Sequence, residues 1–316
     1  MKSRKIPVIL GPTASGKTAF SLLCAERLGG EIVSADSMQI YRGMNIGTAK
    51  PTAEERRGIP HHMMDLVDPT EIFTLADYLV AARSCIRDIL ARGRLPIVVG
   101  GTGLYLSSLM DHVELAEIRH DEKYREDLKQ LAEREGNAVL KQMLAEIDPE
   151  SAEILHDNDR KRIIRALEVY HETGHTMTEQ KRLSRQNVGE FSFEPVGLNF
   201  FDRAMLYDRI DRRVDRMREA GLEQEVRTLV SAGKLRPDST AGQAIGYKEF
   251  FPYFDGKDSL EAVYERIKQE SRRYAKRQLT WFRRDQRISW IVTENGWTVS
   301  DADVWMKKLE SSWEDT

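Results

Sequence analysis

The stretch "GPTASGKT", residues Gly11 to Thr18, decides the class of fold. It follows the apolar run Ile6–Leu10 and leads directly into a helical pattern. This is the strand, loop and helix context in which the pattern G-x-x-x-x-G-K-[ST] binds phosphate. Its glycines let several backbone N–H groups point at one oxyanion, while Lys17 adds a positive charge and Thr18 a hydroxyl that can reach Mg²⁺. We therefore predict a phosphate site, although the motif alone does not identify its ligand.

Length and composition describe an ordinary globular protein. The chain has 316 residues, a formal net charge of -3 and a hydrophobic share of 41%, which allows one large domain with an insertion, or two domains. No apolar stretch approaches the roughly 18 residues of a membrane span, so we expect a cytoplasmic protein that contacts no membrane. Cys24 and Cys85 stand apart among apolar residues, which favours core thiols over a disulfide or zinc site.

Residues 1–117 alternate between strand and helix patterns, which predicts a parallel sheet with helices on its faces. The predicted strands are Ile6–Leu10, Glu31–Ala35, His62–Leu66 and Pro96–Gly100. The predicted helices are Lys17–Leu28, Leu75–Ala91 and Gly103–Met110. Ligands of such sheets lie beyond the carboxyl ends of the strands, so polar residues that follow each strand are the candidate site residues.

Residues 118–186 lose the strand pattern and become charged and helical, which predicts an all-helical insertion domain. Residues 187–316 return to the sheet. The elements predicted there are a strand at Pro195–Phe200, helices at about Ala204–Ala220 and Leu260–Phe282, a strand at Ile288–Val292 and a short helix from Asp301. The predicted fold class is α/β: a P-loop-containing parallel sheet with flanking helices and a helical insertion.

Asp36 follows the second predicted strand, which places its carboxylate near the phosphate loop. There it could bind Mg²⁺, hold a ribose hydroxyl or accept a proton; it could also only cap the following turn. Gln39 could offer a donor and an acceptor to a base edge. Thr102 follows another strand in "PIVVGGTGLYL", where it could contact a ligand or only cap the next helix.

Two stretches carry many cations. In "FDRAMLYDRIDRRVDRM", residues six apart on a helix point about 120° away from each other, so Arg203 and Arg209 could share a ligand only if Arg203 lies at or before the helix start, with Asp202 as the N-cap. A second stretch interleaves aromatic residues with cations, which suits either nucleic acid or a solvated helix face. Its nine basic residues are Arg266, Lys268, Arg272, Arg273, Lys276, Arg277, Arg283, Arg284 and Arg287.

Several motifs together closely resemble those of the bacterial tRNA dimethylallyltransferases, over about residues 6–285. They are "GPTASGKT", "SADSMQIYRGMNIGTAKP", "GIPHHMMD", "VVGGTGLY", "RALEVY", "FDRAMLYDRI" and "AGQAIGYKE". The resemblance implies an enzyme that transfers the dimethylallyl group of dimethylallyl diphosphate to the N6 amine of the adenosine 3′ of the tRNA anticodon and releases diphosphate. The zinc finger of eukaryotic members has no counterpart here.

The resemblance also implies roles for residues. Arg203 and Arg209 would neutralise the diphosphate with Lys17, Thr18 and Mg²⁺, for which Thr18 would be the ligand, and Asp36 would receive the proton of the amine. The residues implied to hold the diphosphate are those of the phosphate loop, Gly11, Pro12, Thr13, Ala14, Ser15, Gly16, Lys17 and Thr18. The residues implied to meet the tRNA anticodon stem-loop are Asp36, Ser37, Met38, Gln39, Thr102, Lys161, Arg162, Ile163, Ile164 and Arg165, with Gly242–Lys248 as a further stretch.

Two other interpretations stay open at the level of sequence. A phosphotransferase could use the same loop to bind ATP, because fold alone does not separate the two reactions. A tRNA-binding or nucleotide-sensing protein would catalyse no reaction. We expect the protein to be a monomer.

Overall fold

The computed structural model describes residues 5–114, 121–186 and 189–314. The chain divides into two compact units. The first joins Met1–Met110 to Phe191–Thr316, and the second is Asp111–Glu190. The predicted boundary at residues 117–118, and residue 187, where the third predicted segment starts, lie outside the described residues.

The first unit contains one six-stranded sheet in the order β3-β2-β4-β1-β5-β6, with every pair of neighbours parallel. The strands are β1 (Ile6–Leu10), β2 (Gly30–Ala35), β3 (His61–His62), β4 (Leu95–Gly100), β5 (Phe193–Phe200) and β6 (Ser289–Thr293). All residues of β1 and β2 are buried, as expected for parallel strands covered on both faces. β1 lies between β4 and β5, so the phosphate loop leaves the middle of the sheet.

Helices cover the sheet and form the second unit. They are α1 (Lys17–Leu28), α2 (Leu75–Ala91), α3 (Gly103–Met110), α4 (Glu122–Glu135), α5 (Asn137–Ile147), α6 (Pro149–Ile154), α7 (Arg160–Thr173), α8 (Met177–Gln186), α9 (Arg203–Glu219), α10 (Leu222–Ser231), α11 (Phe251–Phe254), α12 (Leu260–Phe282) and α13 (Val299–Glu314), with a 3₁₀ turn at Lys248–Phe250. The predicted α/β class is confirmed. The bounds predicted for β1, α1, α2, α3 and α12 are confirmed as well.

The second unit contains the helices α4 to α8 and no strand among its described residues. It has an apolar core of its own, which includes Leu128, Leu140, Leu144, Ile163 and Leu167. Within the described residues of the whole chain, no helix is both long enough and apolar enough to cross a lipid bilayer.

The strand predicted at His62–Leu66 is wrong beyond its first residue, because β3 ends at His62. Met63 and Asp65 have φ angles of 63° and 55°, a left-handed conformation that cannot continue a strand. The backbone N–H groups of Asp65 and Leu66 instead donate to the carbonyls of Gln39 and Ile40. This segment therefore supports the loop that follows β2.

Candidate active site

A cavity of about 1120 Å³ opens beyond the carboxyl ends of β1, β2 and β4. The phosphate loop, the segment after β2, and the helices α9 and α12 all contribute to its lining. Seven lysine or arginine side chains and four carboxylates lie on this lining, so the cavity favours an anionic ligand. These are Lys17, Lys50, Arg57, Arg209, Arg212, Arg213 and Arg216, and Asp36, Glu55, Asp215 and Glu219.

The phosphate loop has the backbone conformation that its glycines predict. Gly16 has a φ of 93° and precedes α1 as its N-cap, and Ala14 has a φ of 64°. A Cβ on Gly11 would lie 2.4 Å from the Leu198 carbonyl oxygen of β5. Glycine is therefore required at position 11 for close packing against β5, and at position 16 for the left-handed turn into α1.

Lys17 lies inside the loop. Its Nζ donates to the carbonyl oxygens of Gly11, at 3.0 Å, and Pro12, at 2.7 Å. Burial of the ammonium group, together with the charge of Arg213, lowers the pKa of Lys17 to about 7, while the carboxylate of Asp36 acts in the opposite direction. An anionic ligand in the loop would restore the charged form of this side chain.

Two arginines of α9 contact the phosphate loop. Arg209 Nε donates to the Ala14 carbonyl oxygen at 3.0 Å, and Arg213 Nη1 donates to Thr13 Oγ1 at 3.0 Å. Burial lowers the pKa of Arg213, and the charge of Asp36 opposes that shift. The two arginines are four residues apart and therefore share one helix face, but this spacing alone does not indicate that the face contacts the phosphate loop.

Arg203 lies elsewhere. It is the first residue of α9, and the Asp202 side chain caps this helix by accepting from Ala204 N, as the sequence predicts. However, Arg203 lines a separate cavity of about 120 Å³ with Tyr207 and Lys276, and it is not among the residues that line the large cavity. Arg203 meets the condition for sharing a ligand with Arg209, since it lies at the start of α9, although the two side chains line separate cavities in this structure. Arg213 is the arginine that contacts the loop beside Arg209.

Asp36 both caps a turn and faces the cavity. Its Oδ1 accepts from the backbone N–H groups of Met38, at 2.9 Å, and Gln39, at 3.4 Å. Its second oxygen, Oδ2, has no hydrogen-bond donor among the described residues, and the side chain lines the cavity. The two alternatives drawn from the sequence are thus compatible, because one oxygen holds the turn and the other is available to a ligand.

The neighbours of Asp36 differ in their surroundings. Gln39 lines the cavity, where its amide contacts Ser34 Oγ and the Thr48 carbonyl. Met38 packs against an apolar core around Tyr41 and does not line the cavity. Ser37 N donates to Thr102 Oγ1 at 3.0 Å. Thr102 is therefore tied to the Asp36 loop.

Helix α12 reaches the same place, which the sequence did not indicate. Tyr274 and Gln278 line the cavity. Burial raises the pKa of Tyr274 to about 12, and hydrogen bonding with the side chains of Thr102 and Gln278 partly offsets this. Gln278 lies 265 residues from Thr13, with which it shares a hydrogen bond. Such a separation explains why no local pattern in the sequence could reveal the contact.

The predicted tRNA stretch of the second unit lies at the start of α7. Lys161 and Arg162 are exposed, and Arg165 is partly buried. Ile163 and Ile164 are 0% and 4% exposed and belong to the core of this unit. The side chains of Ile163 and Ile164 therefore stabilise the unit, and the exposed side chains at this end of α7 are those of the cations.

Contacts within the protein engage part of each of the two other stretches predicted to bind nucleic acid, Gly242–Lys248 and the basic residues on and after α12. Gly242–Lys248 is mostly buried, and a Cβ on Gly47 would lie 2.4 Å from the Tyr247 ring. Ion pairs engage five of the nine basic residues on and after α12, namely Arg266, Lys268, Arg272, Arg273 and Arg287. Lys276, Arg277, Arg283 and Arg284 are exposed and form no ion pair with any residue that the structure describes. The unpaired charge is thus concentrated at the C-terminal end of α12.

The donor set of the cavity suits Mg²⁺. The Thr18 hydroxyl and the Asp36 carboxylate both line it, and these are hard oxygen ligands. Mg²⁺ typically takes one or two protein ligands, several waters and the oxygens of a bound phosphate. Among the described residues, the one cluster of three potential metal ligands is Asp121, His171 and Glu172 in the second unit. The cavity therefore fits a cation that arrives with a phosphorylated ligand.

Comparison with known proteins identifies the family. Residues 39–285 match the family described as IPP transferase, and residues 4–65 match one described as isopentenyl transferase. A tRNA dimethylallyltransferase of Halalkalibacterium halodurans is 48% identical over 91% of this chain and 90% of its own length. One from Geobacillus thermodenitrificans is 50% identical over 92% and 90%, respectively.

Solved structures agree with this result. The full-length tRNA isopentenylpyrophosphate transferase of Bacillus halodurans superimposes with a TM-score of 0.73 at 42% identity, covering 99% of this chain and 97% of that one. A eukaryotic dimethylallyltransferase acting on tRNA gives a TM-score of 0.74 at 32% identity, covering 92% of this chain and 74% of the other. The phosphate loop, the cationic cavity and these similarities together establish that the chain belongs to the IPP transferase family.

Proposed function

We propose that this protein is a tRNA dimethylallyltransferase. The N6 amine of an adenosine next to the tRNA anticodon attacks C1 of dimethylallyl diphosphate. The C1–O bond breaks, diphosphate leaves with the bonding electrons, and the amine loses one proton. The observation that carries the proposal is that one cavity joins the cations of a phosphate loop to the carboxylate of Asp36, so that a leaving group and a proton acceptor are present together.

The phosphate loop and α9 hold the leaving group. Loop N–H groups, Lys17, Arg209 and Arg213 surround the diphosphate and stabilise the negative charge that grows on it as the C1–O bond breaks. When bound, Mg²⁺ supplies further neutralisation of that charge, and the Thr18 hydroxyl with the diphosphate oxygens would hold it. The lowered pKa of Lys17 indicates a site built for an anionic partner, since burial beside Arg213 is unfavourable without one.

Asp36 receives the proton of the amine. An adenine N6 amine is a poor nucleophile because its lone pair is delocalised into the ring, so a carboxylate beside it stabilises the positive charge that develops. The Met38 and Gln39 N–H groups fix Asp36 Oδ1, which leaves Oδ2 to face the amine. The adenosine must leave its stack to enter the cavity, which costs less in a single-stranded loop than in a duplex.

A phosphotransferase remains the second candidate, because a phosphate loop in a parallel sheet also serves ATP-dependent enzymes. Its reaction would break a P–O bond and deliver a phosphoryl group. The similarity of the chain to prenyl-transferring relatives over nine-tenths of its length favours the transfer of carbon.

Labelled transfer tests the proposal. Purified protein, Mg²⁺, dimethylallyl diphosphate with labelled carbon, and tRNA that lacks the modification are incubated together, and the tRNA is digested to nucleosides. We expect the label on one adenosine of the anticodon loop. Label transfer from the γ-phosphate of ATP to a small acceptor, with no incorporation from the prenyl donor, would establish the phosphotransferase instead.

We further propose that the protein is a cytoplasmic monomer. Fractionation of cells tests its location, and sedimentation of the purified protein tests its oligomeric state.

A further inference from the structure

The amide of Gln278 bridges two loops of the site. Its Oε1 accepts from Thr13 N of the phosphate loop at 2.9 Å, and its Nε2 donates to the Gly101 carbonyl oxygen at 2.8 Å. The side chain is 5% exposed, so both bonds are shielded from water. One buried side chain thus connects the loop after β1 to the loop after β4.

The loop after β4 is shaped to receive α12. A Cβ on Gly101 would lie 2.3 Å from Gln278 Nε2, and a Cβ on Gly103 would lie 2.5 Å from Trp281 Cδ1. Trp281 Nε1 donates to Ser107 Oγ of α3 at 2.7 Å. Neither glycine has a positive φ, so glycine is required at both positions because of the close approach of α12 and not because of backbone conformation.

The loop after β4 is in turn connected to Asp36. Thr102 N donates to the Ala35 carbonyl, and Thr102 Oγ1 accepts from Ser37 N. The residues that flank Asp36 are therefore bonded to Thr102, and the residue before Thr102 is bonded to Gln278. Hydrogen bonds of Gln278 and of Thr102, joined by the peptide bond between Gly101 and Thr102, thus connect the phosphate loop to the backbone on either side of Asp36.

We propose that Gln278 is a positioning residue that fixes the distance between the prenyl donor and the adenosine. This inference rests on the proposed function. Group transfer requires the reacting atoms to be held about 3–3.5 Å apart, and a 1 Å displacement can cost about a hundredfold in rate. Phosphate-loop contacts set the place of the donor and the Asp36 loop sets the place of the amine, so the Gln278 amide joins the two halves of the reaction geometry.

The chemistry of the amide is specific. Thr13 N requires an acceptor and the Gly101 carbonyl requires a donor, and a primary amide supplies both from one planar group. Glutamate at this position would keep the acceptor but would present an oxygen to the Gly101 carbonyl. Methionine has nearly the same length and makes neither bond. These two substitutions therefore remove one bond or both with little change of volume.

The test compares Gln278→Met and Gln278→Glu with the unchanged protein in single-turnover and steady-state transfer, below the melting temperature of every variant. We expect the single-turnover rate and kcat to fall about 10- to 100-fold in both variants. KM for dimethylallyl diphosphate and for tRNA should stay within about threefold, because the groups that contact each substrate are retained. A residue that only stabilises the fold would not lower kcat in protein that remains folded.

Ile89→Ala in α2 is the matched control. Ile89 is fully buried and lies outside the cavity lining, so this variant loses stability without touching either loop and should keep its kcat. Full kcat in Gln278→Met, or an equal loss in Ile89→Ala, would overturn the inference while leaving the proposed function in place. Absence of transfer by the unchanged protein would overturn both.

Discussion

At the scale of residues, Asp36 shows how a sequence can locate a carboxylate that is proposed to be catalytic. The residue follows β2, and the carboxyl ends of parallel strands meet at one edge of the sheet, so its closeness to the phosphate loop was predictable. It was not predictable that one oxygen of Asp36 holds a turn and the other faces the cavity, because this depends on the turn that Met38 and Gln39 complete.

Asp36→Asn should therefore abolish the proton acceptor and keep the turn, since an amide oxygen still accepts from Met38 N. We expect kcat to fall by about 10²- to 10⁴-fold, the usual contribution of a general base, with tRNA affinity nearly unchanged in a filter-binding assay. Asp68→Asn is the control, because Asp68 Oδ1 also accepts from an N–H two residues ahead but lies outside the cavity lining. Equal turnover in the two variants would remove Asp36 from its role.

Arg213 illustrates the opposite case. Six arginines lie between residues 203 and 218, and sequence alone could not decide which of them reach the phosphate loop. The decision depends on the rotation of α9 about its axis, which the packing of Leu206, Ile210, Val214 and Met217 on the core fixes.

Arg213→Ala should lower kcat/KM for dimethylallyl diphosphate by about 10²- to 10³-fold, the cost of removing one preorganised group that stabilises developing charge. Arg218→Ala on the same helix removes a charge that pairs with Glu261 and should leave kcat/KM within about twofold. Steady-state kinetics with saturating tRNA measure both. A larger loss in Arg218→Ala than in Arg213→Ala would contradict the assignment.

Lys17 gives a prediction about protons. Its pKa of about 7 in the free protein means that above this pH the side chain is largely neutral, and a bound diphosphate raises the pKa and restores the charge. Binding of dimethylallyl diphosphate at about pH 8 should therefore take up a proton, and its affinity should weaken as the pH rises above about 7. Calorimetry in two buffers of different ionisation enthalpy measures the uptake.

Lys17→Arg is the matched variant for this measurement. Its guanidinium stays charged at every pH used, so ligand binding should take up less proton than in the unchanged protein. The same uptake in both proteins would show that another group titrates.

At the scale of elements, the ends of a helix or strand are predictable where a local signal in the sequence marks them. α2 and α12 are preceded by the N-caps Thr74 and Ser259, whose side chains accept from Asp77 N and Ala262 N, and such caps are visible in a sequence. β3 was too long in the prediction because its end depends on left-handed residues at 63 and 65. Helix α10 was missed although Leu222, Val226 and Leu229 have helical spacing.

The C-terminal end of α12 carries the prediction at this scale. Arg283→Ala with Arg284→Ala removes two cations that have no ion pair among the described residues. If they contact tRNA phosphates, the affinity for tRNA should fall. The plot of the logarithm of the association constant against the logarithm of salt concentration should become shallower, with a slope smaller in magnitude by about one to two. Lys307→Ala with Lys308→Ala removes two exposed lysines of α13 as a control for net charge. An unchanged slope in the α12 variant, or an equal change in both, would remove this end of the helix from the tRNA surface.

At the scale of the whole molecule, the fold supplies a sheet edge and the chemistry depends on what several distant segments bring to it. The phosphate loop, the Asp36 loop, α9 and α12 come from residues 11–18, 36–39, 203–219 and 260–282, yet all line one cavity. The first two were predictable from strand order. The contribution of α12 required the tertiary structure, because Gln278 is polar, lies inside a basic helix and has no sequence neighbour that indicates its partners.

The central claim is that the phosphate loop holds a leaving group and that the bond which breaks is carbon–oxygen. Dimethylallyl diphosphate with ¹⁸O between C1 and the first phosphorus is incubated with the protein and unmodified tRNA, and mass spectrometry measures both products. The account predicts a prenylated adenosine without the isotope and diphosphate that retains it. Diphosphate without the isotope, or a tRNA that gains no prenyl group, would contradict the account.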